Sequence, residues 1–234
     1  MMRRAHLGAC LTLLLVAAPA LAQAQSRPGE WVSYRDAYRA MVQFDKYGGP
    51  KHLLQHGLQV QPQGKGMLDE GVALVLSSKT VQTSLNVDAL GRGPLPLLKA
   101  AYDENAVLTP SRPLGAFAVR SRVSLALRPD GVYGAADLRA GCEQALAFAK
   151  YQDASARARQ CVGVRLVFAK KGAEAAVRVR TQDAEQPLAL AQGAAFAGDA
   201  DDDFPVVVYR FQQSTATQQV VTYNAPLAIV PLFE

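Results

Sequence analysis

The segment GAFAVRSRVSLALRPDG (residues 115–131) alternates apolar and polar side chains, and this period of two constrains the fold more than any other feature. Phe117, Val119, Val123, Leu125 and Leu127 fall on one side of an extended chain, while Arg120, Arg122, Ser124 and Arg128 fall on the other, because successive strand side chains point to opposite faces. A strand patterned in this way buries one face and wets the other, so it belongs to a sheet covered on one side. Shorter apolar or alternating runs recur along the chain: GLQVQPQ, GVALVLSS, TVQTSLNVD before a turn at DALGRG, VGVRLVF, AAVRVRT, FPVVVYRF, QQVVTYN and PLAIVPLF. RPDG and KKG read as turns, the latter joining VGVRLVF and AAVRVRT into a hairpin. Pro94 and Pro96 hold GPLPLL extended, since a residue before proline is pushed out of the helical region.

Two segments carry helical periodicity instead. In WVSYRDAYRAMVQFDKYGGP, Ser33 is the N-cap, Tyr34, Tyr38, Met41 and Val42 share a face, and Gly48, Gly49 and Pro50 end the helix. In AADLRAGCEQALAFAKY, Leu138, Cys142, Ala145, Leu146 and Ala149 form an apolar stripe. Two helices among about ten short strands predict an α+β, mostly β protein. AVLTPSRPLGAFAV (106–119) and QVVTYNAPLAIVPL (219–232) match loosely in Val-x-Thr, Pro-Leu and an alternating tail. Their offset, on the order of 100 residues, is a common domain size. The second half has DAEQPL where the first has DALGRG, so one or two antiparallel β-sandwich units with two accessory helices remain open.

The first residues, MMRRAHLGACLTLLLVAAPALAQAQS, read as a secretory leader spanning residues 1–24: Arg3 and Arg4, then an apolar core, then small residues suited to cleavage after Ala22 or Ala24. The core is shorter than the ~20 residues a spanning helix needs, and no later segment is long and apolar enough either. Cys10 precedes most of that core, so it reads as a small apolar residue inside the leader rather than as a lipidation site. Beyond it, residues 25–133 hold the first helix and first β unit, and residues 134–234 hold the second helix and second β unit. Two cysteines remain, Cys142 and Cys161. In the oxidising periplasm or outside the cell they form a structural disulfide tying helix to sheet; their spacing is no C-x-x-C redox motif. Without Arg3 and Arg4 the chain has 23 basic and 20 acidic residues, a formal charge of +3, which makes no case for nucleic acid.

The order of an aromatic helix, VDALGRGPLPLL, YDENAVLTPSRPLGAFAV, a cysteine-bearing helix and the ending PLAIVPLFE resembles a family of periplasmic proteins from Gram-negative bacteria. More distantly it is similar to the transthyretin-like sandwich of carboxypeptidase regulatory domains, in which D-x-x-G-x-x-x-L-P marks a turn and strand. The resemblance implies transthyretin-like β-sandwich units and brings no catalytic residues with it.

Chemistry-bearing clusters are sparse. His52 and His56 are four apart in HLLQH but lack the glutamate of a zincin motif, and two surface histidines are the simpler reading. GDADDDF gathers Asp199, Asp201, Asp202 and Asp203 without the central glycine and distal glutamate of a calcium loop, which makes it a solvated loop. No metal or cofactor is expected. No G-x-S-x-G or S-x-x-K motif occurs, and the neighbours in Asp69–Glu70 and Asp103–Glu104 point apart on an extended chain. Arginine at alternate strand positions is the most suggestive pattern: Arg120 with Arg122, Arg178 with Arg180, and Arg165 if its strand is a neighbour. Guanidinium groups suit carboxylate and phosphate, although arginines also solvate the outer face of a one-sided sheet. The expectation is therefore a non-catalytic periplasmic or secreted cell-envelope protein that binds or scaffolds, with an anionic envelope polymer or an envelope protein as partner. The alternative is a hydrolase that uses paired carboxylates on an envelope polymer.

Overall fold

A computed structural model describes residues 31–63, 68, 71–172, 175–211 and 217–234. The N-terminal segment read above as a leader, with Cys10, and the pair Asp69–Glu70 lie outside the described residues. The first half runs β1 (Val32–Ser33), α1 (Tyr34–Lys46), β2 (Leu54–Pro62), β3 (Ala73–Ser77), β4 (Gln82–Asn86), β5 (Arg92–Gly93), α2 (Lys99–Asp103), β6 (Val107–Pro110) and β7 (Phe117–Leu125). The second half runs β8 (Val132–Gly134), α3 (Ala135–Gln152), β9 (Cys161–Val167), β10 (Val177–Arg180), β11 (Glu185–Pro187), β12 (Leu190–Gly193), β13 (Phe204–Arg210), β14 (Gln219–Thr222) and β15 (Ala228–Phe233). The protein is α+β and mostly β. It has a third short helix, α2, that the sequence reading did not anticipate.

Strand order explains the loose internal match. One four-stranded sheet is β1-β6-β3-β4 and the other β8-β14-β10-β11, and the seven-stranded sheet reads β12-β13-β9-β15-β7-β2-β5. Replacing each first-half strand by its second-half counterpart turns one small sheet into the other, and β5-β2-β7 into β13-β9-β15. The halves meet where β7 pairs β15 antiparallel at Leu125 and Ile229. The Val-x-Thr segments occupy equivalent strands, β6 and β14. DAEQPL lies in the β10–β11 hairpin, the counterpart of the β3–β4 hairpin, so it was never the equivalent of DALGRG. The hairpin expected from VGVRLVF and AAVRVRT does not form: β9 pairs β13 and β15, whereas β10 pairs β11 and β14.

The two small sheets and the helices cover one face of the large sheet. Over the first half, Leu58, Val60 and Phe117 pack with Leu74, Leu76 and Leu108 and with Tyr34, Ala37 and Met41 of α1. Over the second, Val164, Leu166, Val207 and Ile229 pack with Val177, Val220 and Tyr133 and with Leu138 and Cys142 of α3. The buried stripe of α1 is Tyr34, Ala37, Met41 and Phe44, the i, i+3, i+7 spacing of one helical face, which leaves Tyr38 and Val42 half buried at its margin. Ser33 stands at the N-cap but its side chain makes no capping hydrogen bond. Its backbone pairs in β1, and Tyr34 N–H donates to Ala106 O at 3.1 Å. A Cβ on Gly141 would stand 2.9 Å from the Leu125 side chain, so α3 reaches this sheet because that residue is glycine.

The Cys142–Cys161 disulfide is formed, with Cα atoms 6.0 Å apart, and joins α3 to the first residue of β9. Closing a loop of this length stabilises by roughly 3 kcal/mol on the chain-entropy model. Among the described residues no helix is long and apolar enough to cross a membrane.

Candidate functional site

The opposite, outer face of the seven-stranded sheet carries the polar residues of β2 and β7 and, nearer β13, a smaller apolar cluster of Val167, Phe204, Val206, Ala228 and Val230. The turn that organises it is DALGRG. Asp88 Oδ1 accepts from the backbone N–H groups of Leu90 and Arg92 at 2.9 and 2.8 Å, an Asx-type turn. Gly91 has φ of 73° and a Cβ there would run into the Val60 carbonyl, so the turn requires glycine. The turn aims Arg92 across the sheet. Its Nε and Nη2 donate to Asp88 Oδ2 at 3.0 and 2.7 Å, Nη2 also donates to Leu227 O at 2.5 Å, and Nη1 lies 3.4 Å from Ser124 Oγ.

Arg122 projects from β7, with β2 between that strand and β5. Its Nε donates to Gln59 Oε1 at 2.6 Å and its Nη2 to Asp199 Oδ1. Gln59 Nε2 donates to Asp199 Oδ2 and to Leu90 O, both at 3.1 Å. Asp199 belongs to the segment between β12 and β13, which crosses from the second half onto the first and buries Ala195 and Phe196. The Phe196 ring lies 5.9 Å from the Arg92 guanidinium and 5.0 Å from that of Arg122. Asp199, with a side chain only 5% exposed, is thus compensated by arginine and amide donors, as a buried carboxylate must be. Burial holds the Arg122 guanidinium below its usual value; Asp199 opposes this, and neighbouring Arg120 adds to it.

Beside these groups opens a cleft of about 240 Å³ lined by Gln55, Gly57, Asp88, Arg92, Arg122 and Ser124, among others. A guanidinium carries five N–H donors, and the interactions above use Arg122 through Nε and Nη2. Arg122 Nη1 has no hydrogen-bond partner among the described residues. Ser124 is 2% exposed and receives Gln55 Nε2 at 3.0 Å. The cleft therefore offers guanidinium donors on rigid strands, one bounded by the Asp88 carboxylate.

Of the arginines named from sequence, three gather around the 194–199 segment. Arg122 holds Asp199, Arg165 Nη1 donates to Ala194 O at 2.7 Å, and exposed Arg120 extends Nη1 beside Gly198. β15 lies between the strands of Arg165 and Arg122. Arg178 and Arg180 lie on β10 in a separate sheet, where Arg180 Nε meets Glu185 at 2.5 Å and Arg178 Nη1 approaches the same carboxylate at 3.7 Å. The five arginines thus form two groups, and Arg122, Arg165, Arg178 and Arg180 each meet a protein acceptor.

The remaining clusters have structural partners. His56 is on β2, stacked on Phe44 with centroids 4.5 Å apart and with Nε2 2.6 Å from Ser121 Oγ. His52 lies in the preceding turn beside Gln144, so the pair does not share a helical face. In the acidic loop, Lys170 Nζ reaches Asp201 Oδ1 at 2.6 Å and also contacts Asp203. No cluster of three or more potential metal-ligating residues occurs among the described residues. Arg92, Gln55 and Gln59 were missed. The usable signal was DALGRG, whose leading aspartate and arginine four residues apart can close a turn and project a guanidinium. No family model matches the chain, and no curated protein or solved structure is significantly similar to it.

Proposed function

We propose that the protein is exported and acts without catalysis as a binder of acidic cell-envelope material, taking a carboxylate or phosphate group into the Arg92–Arg122 cleft. The observation that carries this reading is the convergence of the two guanidinium groups on one cleft, with Arg122 Nη1 facing no protein acceptor among the described residues. Guanidinium forks fit planar or tetrahedral oxyanions, and their attachment to strands pre-organises the donors. The leader-like N-terminus and the Cys142–Cys161 bond support an oxidising compartment. A carboxylate-based hydrolase draws less support, because Asp88 and Asp199 each face an arginine rather than one another across the cleft.

Titration calorimetry of the mature protein with galacturonate and with inorganic phosphate tests the reading. Gln55→Glu places a negative charge in the cleft without touching either arginine clamp. Binding should weaken with added salt, and by about 10-fold or more in the variant, equivalent to ~1.4 kcal/mol. Failure of both probes to bind, or equal binding by the variant, would refute it.

A further inference from the structure

A second surface, on the solvent side of α1 and remote from the outer face of the sheet, has a different chemistry. Tyr38, Arg39, Val42, Gln43 and Lys46 of α1, Tyr102 of α2 and Tyr151 near the end of α3 line a groove of about 400 Å³, within the range of small-ligand sites. Spacings of three and four residues place the α1 members on one helical face. The Tyr38 and Tyr102 rings are 4.9 Å apart, and Tyr47 holds Tyr151 from below at 5.2 Å. Tyr151 nevertheless remains 60% exposed. Tyr102 is further fixed by the guanidinium of Arg35, 5.0 Å from its centroid, and by that of Arg39 at 5.8 Å.

The charge in the groove has one sign. Arg39 and Lys46 are cationic and no carboxylate is among the lining residues. The Arg39 ion pair with Asp36 is exposed on both sides, at 61% and 72%, so it contributes little and yields readily to a competing anion. Gln43 Oε1 accepts from Gln152, which leaves its amide N–H groups as donors. Tyrosine supplies rigid amphipathic contact area at low entropic cost, and its negative π-face attracts polarised C–H groups. The amide, guanidinium and ammonium groups among the rings break up the continuous apolar centre that a protein interface would use.

We infer that the Tyr38–Tyr102–Tyr151 groove binds an acidic glycan chain, with sugar rings against the tyrosines and carboxylates beside Arg39 and Lys46. The groove is separate from the Arg92–Arg122 cleft, so each can fail alone. The test is titration calorimetry of the mature protein at low salt with hexagalacturonate and, for comparison, with neutral maltohexaose. Hexagalacturonate should bind and maltohexaose should not. Tyr151→Ala and Lys46→Glu, both at exposed positions, should each weaken hexagalacturonate binding by about 10-fold or more, whereas Gln55→Glu should leave a groove-bound component unchanged. Absence of hexagalacturonate binding, equal binding of maltohexaose, or indifference to both groove substitutions would overturn the inference. Loss of all binding in Gln55→Glu alone would overturn it as well, by assigning the ligand to the cleft.

Discussion

Acidification should destabilise this protein through one histidine. His56 faces the covered side of the large sheet, with Phe44 stacked on it, Ser121 at its Nε2, and Asp45 and Lys51 as the charges that act on it. Burial, the largest cause, lowers its pKa from 6.5 to about 4; Asp45 works against this and Lys51 with it. The folded state thus favours the neutral ring, and the resulting stability is fully present above pH 6.5 and is lost as pH falls toward 4. A gap of about 2.5 pH units at ~1.36 kcal/mol each sets a ceiling of ~3.4 kcal/mol. Because the ring is only partly buried, solvent screening reduces this to ~2 kcal/mol in all, most of which is lost by pH 5. Urea denaturation of the wild type and of His56→Gln at pH 7.5, 6 and 5 isolates the effect, since carboxylates titrate alike in both. The wild type should lose ~1.5 kcal/mol more than the variant between pH 7.5 and pH 5. Parallel pH profiles, or a His56 NMR titration midpoint at 6 or above, would refute the reasoning.

Removing Arg122 as Arg122→Ala strands Asp199 in a buried position, and a broken buried pair of this kind costs about 3–5 kcal/mol. Arg120→Ala, at an exposed position that makes no ion pair among the described residues, should stay within about 0.5 kcal/mol, both read by chemical denaturation. Replacing Cys142 and Cys161 together by alanine should cost roughly 3 kcal/mol. Alkylation followed by intact mass should label these two thiols only after reduction, and label on them beforehand would remove the crosslink.

Much of the fold was legible because it is local. Phe117 to Leu125 alternates so cleanly that its apolar residues lie on the covered face and Arg120, Arg122 and Ser124 on the outer one. The stripe of α3 placed Cys142 against the sheet. The errors arose where local pattern is degenerate. Lys99–Asp103 forms a helix of five residues, too short for periodicity to register, just after prolines that argue for extended chain. Adjacent strands joined by a tight turn ordinarily pair, which made VGVRLVF and AAVRVRT look like a hairpin. Here the chain bends between two stacked sheets, because the apolar residues of β9 and β10 face each other across the same core. The candidate site was less legible still: the sequence offered Arg122, while Arg92, Gln59 and Asp199 come from a turn, another strand and a distant loop.

The sequence by itself determined the two longer helices and most of the longer strands, the side of those strands that is apolar, the cysteine pair and the outward direction of the arginines, since these follow from side-chain periodicity over a few residues. Tertiary structure alone decided that two matching halves join through β7 and β15 into one sheet, and that Asp199 reaches across the join to Arg122. It alone also placed Arg92 beside Arg122, and Tyr151 beside Tyr38 and Tyr102. Such neighbours depend on strand order and loop path, which are fixed by burial summed over the whole chain and leave no periodic trace in any short stretch of it.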